Sequence, residues 1–215
     1  MSKMAKWCVL PATVLLFGSA ALGQDPSSTG SPTGGSSPAS STAPKPPTVA
    51  ERKENQQDRI ANGVKSGQLT AGETASLESK EAAINGETRA DRAANGGKLT
   101  SAEKQQINRQ QNQLSKQIYQ DKHNSAVQNT NPPSEVGKRA ENQQDRIGQG
   151  IKSGQLTAGE AAHLENKEAQ INKEVRNDRA ANGGKLTPQE RAQVNRQQNR
   201  VSRQIYRDKH NGRRQ

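Results

Sequence analysis

Gly154-Gln155-Leu156-Thr157-Ala158-Gly159-Glu160 is one of four occurrences of a heptad, Gly-x-Leu-Thr-x-x-Glu; the others are Gly67–Glu73, Gly97–Glu103 and Gly184–Glu190. A threonine hydroxyl can accept from a free N–H of the first helical turn, and a glutamate three residues on can answer by accepting from the threonine's own N–H. The glycine ahead of it suits the positive φ that closes a preceding helix. Each heptad therefore marks a helix stop followed by a helix start. The candidate structural caps are Thr70 with Glu73, Thr100 with Glu103, Thr157 with Glu160 and Thr187 with Glu190. Pro188, directly after Thr187, is a favoured first helical residue.

The first and third heptads lie 87 residues apart, as do the second and fourth, so a whole block is duplicated. Glu54–Asn124 aligned without a gap on Glu141–Asn211 gives 52 identities in 71 positions. The expected fold is all-α: two tandem copies of a three-helix unit built from helix-loop-helix repeats. The predicted helices run roughly over 51–64, 71–94 and 101–122, then 138–151, 158–181 and 188–209. Their sparse aliphatic residues are periodic. Ile107, Leu114 and Ile118 fall on one stripe, answered by Val194, Val201 and Ile205. Leu69 and Leu99, in the loops, are expected to plug the ends of the bundle. About ten sizeable apolar residues per copy make a thin core, so packing of the copies together, or self-association into a homo-oligomer, is expected to supply the rest.

The ends read differently. Residues 1–23 have Lys3 and Lys6 before an apolar run from Trp7 to Phe17 and small residues at Ala21 and Gly23, the pattern of a cleaved signal peptide. Export, to the periplasm or beyond the cell, is the expectation. Removal of that leader takes the only Cys, Trp and Phe with it and leaves no thiol chemistry. Residues 24–50, rich in Ser, Thr, Pro and Gly, read as a flexible tether. Residues 125–137, with Pro132 and Pro133, read as a linker between copies 51–124 and 138–211, and residues 212–215 as a basic tail.

The spacing Gly67, Leu69, Glu73 matches the sixth, eighth and twelfth positions of a calcium loop. With its helix-loop-helix context, the chain resembles a degenerate EF-hand-like repeat, similar to exported bacterial proteins with tandem Gly-x-Leu-Thr-x-x-Glu units. The resemblance covers roughly 51–211 and implies helix-loop-helix pairs with a calcium ligand set at the start of each loop. The residues at the first, third and fifth loop positions depart from it: Asn62, Val64 and Ser66; Arg92, Ala94 and Gly96; Gln149, Ile151 and Ser153; Arg179, Ala181 and Gly183. Calcium needs six to eight oxygens, and arginine and alanine side chains supply none. A shifted loop using Asp91, Asn95 and Glu103, or Asp178, Asn182 and Glu190, is one residue too long. A second candidate for metal is the helix end Tyr-x-Asp-Lys-His-Asn, which offers Asp121 with His123 and Asp208 with His210. Each copy alone provides too few ligands for a closed site. No cofactor is expected.

No nucleophile motif or phosphate loop is present, so an enzyme is not expected. Most carboxylates alternate with Lys and Arg and read as solvated helix faces. The charge is unequal. Residues 51–124 carry 12 basic and 10 acidic side chains, residues 138–215 carry 17 and 9. On the last helix Arg196, Arg200, Arg203 and Arg207 fall opposite the aliphatic stripe, and Arg213 and Arg214 are expected to extend them. Such a stripe, about 16 Å long at ~1.5 Å rise per residue, suits a polyanion: an anionic cell-envelope polymer or a lipid surface. Nucleic acid is disfavoured by the lack of aromatic stacking residues. The expected function is that of an exported, non-enzymatic structural or interaction protein, with metal binding through the EF-hand-like loops or Asp-x-His ends as the alternative.

Overall fold

The computed structural model describes residues 45–214; the segment read as a leader, most of the segment read as a tether, and Gln215 lie outside the described residues. Six helices follow in order: α1 (Val49–Lys65), α2 (Ala71–Ala94), α3 (Ser101–Lys122), α4 (Glu135–Lys152), α5 (Ala158–Ala181) and α6 (Pro188–His210). The described part of the chain is all-helical.

Each of the four heptads is a reciprocal capping box. Thr70, Thr100, Thr157 and Thr187 accept from the backbone N–H three residues on, and the glutamate there accepts from the threonine's N–H. Gly67, Gly97, Gly154 and Gly184 have φ between 66° and 88°, the left-handed turn that an L side chain resists. A fifth box, Thr48 with Glu51, starts α1 inside the segment read as tether, so the helix begins two residues before the expected 51. Ser134 caps α4 by accepting from Gly137, which carries the helix start into the segment read as linker.

Packing follows the duplication. Helix α3 lies against α1 and α2, and α6 against α4 and α5. The most extensive packing, however, joins helices to their own sequence counterparts: α2 to α5 and α1 to α4. Ala82 and Asn85 of α2 share a groove with Thr157–Gly159 at the start of α5, while Ala169 and Asn172 share another with Thr70–Gly72. The two helices thus run antiparallel, with Glu78 and Glu165, counterparts in sequence, near their midpoint. That is the arrangement of a two-fold interface inside one chain.

One hydrophobic cluster therefore spans both copies, including Ile60, Leu77, Ile107 and Ile118 from the first and Ile147, Leu164, Val194 and Ile205 from the second. Leu69 and Leu156 are fully buried, whereas Leu99 and Leu186 pack against the cluster only in part. The first pair seats because Gly63 and Gly150 have no side chain. A Cβ on Gly63 would come 2.6 Å from Leu69 Cδ1, and one on Gly150 equally close to Leu156. Between the copies, Gln128 ties the connecting segment to the first loop: its N–H donates to Gly67 O at 2.8 Å.

Candidate functional site

The basic residues foreseen on α6 divide into two places. Arg196, Arg200, Arg203 and Arg207 are exposed along one side of the helix. Among the described residues none of these four has a hydrogen-bond or ion-pair partner, so their guanidinium groups face solvent. Arg213 and Arg214 do not extend that stripe. Helix α6 ends at His210, and the tail turns toward the start of α5. There Arg213 lies 3.8 Å from Glu160 and Arg214 donates to the carbonyls of Asn211 and Arg213. Both border a separate groove with Lys53 and Arg89.

Arg200, Arg203 and Arg207 line a groove of about 850 Å³, whose far wall comes from helices the sequence had not assigned to the site. Arg146 of α4 and Lys167 of α5 complete it, with Asn199, Ser202, Gln204 and Tyr206. Five cations and no carboxylate line this surface. Arg196 lies on the same helix but outside the groove. Arg146 is held rigidly: it donates to Ser202 Oγ at 2.6 Å and to Ser202 O at 3.1 Å. Lys167 is held by Gln204 Oε1. Beside them, burial and then the Arg146 guanidinium push Lys209 below the usual lysine value, as burial and Arg59 do for its counterpart Lys122.

The first copy has the same frame without the same charge. Arg59 donates to Ser115 O at 3.1 Å and Lys80 to Gln117 Oε1. The counterparts of Arg200, Arg203 and Arg207 are Gln113, Lys116 and Gln120. No motif marks Arg146 and Lys167, because Arg59 and Lys80 occupy the equivalent positions in the first copy. Only the packing of α4 and α5 against α6 brings them to the arginine face.

The calcium-like positions are committed elsewhere. Glu73 Oε2 accepts from Thr70 N at 2.9 Å, and its Oε1 accepts from Asn124 Nδ2 at 2.7 Å. Glu103 Oε2 accepts from Thr100 N and Oε1 from Asn95 Nδ2, both at 2.7 Å. These bonds, led by the one from the Thr100 backbone, hold Glu103 below the ordinary glutamate range. Glu190 behaves alike through Thr187. Asn95 thus turns its amide nitrogen, a donor, toward the carboxylate of the shifted loop. At the helix ends, His123 Nδ1 donates to Tyr119 O at 2.7 Å and the two rings stack 4.2 Å apart; His210 and Tyr206 repeat both interactions. Burial, then the Glu73 carboxylate, raises Asp121. Among the described residues no three His, Cys, Asp or Glu side chains are gathered as a metal ion would need.

Four carboxylates are exceptions to the reading of solvated faces. Glu78, Glu81, Glu165 and Glu168 are wholly buried on α2 and α5. Gln57 donates to Glu78 at 3.2 Å and Gln144 to Glu165 at 2.7 Å.

Comparison of the chain with protein-family models, curated proteins and solved structures finds no match.

Proposed function

We propose that this chain is an exported, non-enzymatic binding protein that attaches to a polyanionic envelope component through the basic groove of its second half. In this reading the scaffold is two tandem copies of a three-helix unit, joined along α2–α5 and tethered by the segment ahead of α1. The observation that carries the reading is the groove itself: Arg146, Lys167, Arg200, Arg203 and Arg207 converge on about 850 Å³ with no acidic neighbour in the lining. Like charges so gathered repel one another, and an anionic chain laid along them relieves that repulsion while releasing its counterions. The helical spacing of the three α6 arginines, about 10 Å end to end at ~1.5 Å per residue, fits successive charges of a polymer better than one compact anion. No described helix is long and apolar enough to cross a membrane, so attachment to a surface would rest on this charge and on whatever lies outside the described residues.

The test is binding to heparin and to vesicles with and without anionic lipid, over a range of salt. Affinity should fall steeply with salt, and Arg200→Gln, Arg203→Gln and Arg207→Gln together should flatten that dependence by about three in the log–log slope, one for each arginine removed. Binding that ignores both salt and the three substitutions would refute the reading.

A further inference from the structure

The most unusual feature of the interior is its lack of donors where α2 meets α5. Glu78, Glu81, Glu165 and Glu168 have no exposed surface. Glu78 and Glu165 each have one oxygen without a partner, and Glu81 and Glu168 have both oxygens so. The amide oxygens of Gln57 and Gln144, whose nitrogens serve Glu78 and Glu165, are also unpartnered. Every one of these orphans is an acceptor. Buried polar atoms are costly when unpaired, and a carboxylate is far costlier than a carboxylic acid. A proton on the carboxyl removes the charge and supplies the missing donor at once.

Few charges oppose this. From α1, Lys53 is the one cation that acts on the quartet, and it acts on Glu81. Its counterpart in α4 is Ala140, so Glu168 has no equivalent. Asn85 also favours the ionised form of Glu81, though neither Glu81 oxygen has a hydrogen-bond partner. Within the quartet, Glu81 acts on Glu78, Glu168 on Glu165, and Glu78 on Glu165 across the seam, each disfavouring ionisation of its neighbour. From α4 the neutral Gln144 donates to Glu165, and no charged group of α3, α4 or α6 acts on the quartet among the described residues.

We propose that the α2–α5 seam is a proton-controlled joint: the two copies are held together while the four buried glutamates are protonated, and the seam loosens as they ionise. Each copy retains its two glutamates and its glutamine, in a chain whose copies differ at 19 of 71 aligned positions. Burial, the first cause in each case, lifts Glu78 and Glu168 to about 8 and Glu81 to about 7, and holds Glu165 well above 4.5. These folded values exceed that of the unfolded chain, so the folded state binds more protons. The stabilisation is complete below about pH 4.5 and is lost as pH rises through 7 to 8. This is opposite in sign to ordinary acid denaturation, in which carboxylates paired in the folded state lose stability as pH falls.

The experiment uses the full chain with Cys8→Ser, labelled at Gln105→Cys and Ala192→Cys, exposed counterpart positions on α3 and α6. Between pH 5 and pH 9 the label distance should lengthen and the unfolding constant should rise at least ~100-fold. The variant E78Q/E81Q/E165Q/E168Q, neutral at every pH, should show neither change. A chelator should have no effect on the wild type. A distance and stability indifferent to pH, an equal response in the quadruple variant, or a transition that moves with chelator would each overturn the proposal. The last would assign the missing partner to a cation instead. If the quadruple variant does not fold, infrared spectroscopy of the unsubstituted chain decides. A protonated-carboxyl band surviving at pH 6 supports the joint, and its complete loss by that pH refutes it.

Discussion

The two copies differ mostly where they face outward, and where they face each other they differ only by small exchanges. Of the 19 differences between them, six fall at buried positions, and these exchange small or aliphatic groups: Ala61 for Gly148, Val64 for Ile151, Thr74 for Ala161, Thr88 for Val175, Ile107 for Val194 and Leu114 for Val201. The remaining 13 lie outside the core and include every change that builds the basic groove. A shared interior explains the first half of that pattern. A close-packed core tolerates small trades of volume but not of charge, and each copy forms part of the other's core. The outward faces have no such constraint, and seven of those 13 differences fall on α6.

That contrast can be broken most severely in the core. Ile118 and Ile205 are counterparts and both fully buried. Ile118→Ala and Ile205→Ala should each cost about 2–5 kcal/mol of stability by chemical denaturation, and the two should agree within about 1 kcal/mol. A large inequality would mean that the copies do not share one cooperative core. Somewhat smaller effects are expected where a loop leucine enters beneath a helix. Gly63→Ala and Gly150→Ala each force a Cβ to within 2.6 Å of leucine Cδ1, so each should cost about 1–3 kcal/mol. No loss at either would show that Leu69 and Leu156 are free to move aside.

The smallest effects belong to the caps. Thr100→Ala and Thr187→Ala remove equivalent, exposed capping hydroxyls and should cost about 1 kcal/mol each. Calcium should not restore that loss, because the same glutamate is already engaged by its threonine and by Asn95 or Asn182. Calorimetry showing a micromolar calcium site in the unsubstituted chain would instead restore the EF-hand-like alternative.

Helix order and boundaries were largely legible in the sequence because they rest on local chemistry. A threonine followed three residues later by glutamate announces a cap wherever it occurs, and aliphatic periodicity marks the inner face. Thr48 with Glu51 is masked because it sits at the end of a Pro- and Ser-rich segment whose composition argues for disorder. The buried glutamates were illegible for a deeper reason. Glu78 and Glu81 stand beside Lys80, and Glu165 and Glu168 beside Lys167, which on one helix looks like a solvated face. Only the docking of α2 onto α5 buries the acids while Lys80 stays exposed and Lys167 half-buried. The groove was half legible: the α6 arginines follow from helical spacing, whereas Arg146 and Lys167 join them through tertiary packing. Asn211-Gly212 signals the turn after His210, but the direction in which it takes Arg213 and Arg214, toward Glu160, is set by tertiary packing.

The inequality of the copies is tested most directly by transplanting it. The first copy already holds Arg59 and Lys80 in the same frame, so Gln113→Arg, Lys116→Arg and Gln120→Arg should complete a second groove there. Titration with a short heparin oligosaccharide should then show two sites where the unsubstituted chain shows one, both weakened alike by salt. A stoichiometry that stays at one, with binding unchanged by Arg200→Gln, Arg203→Gln and Arg207→Gln, would contradict the account.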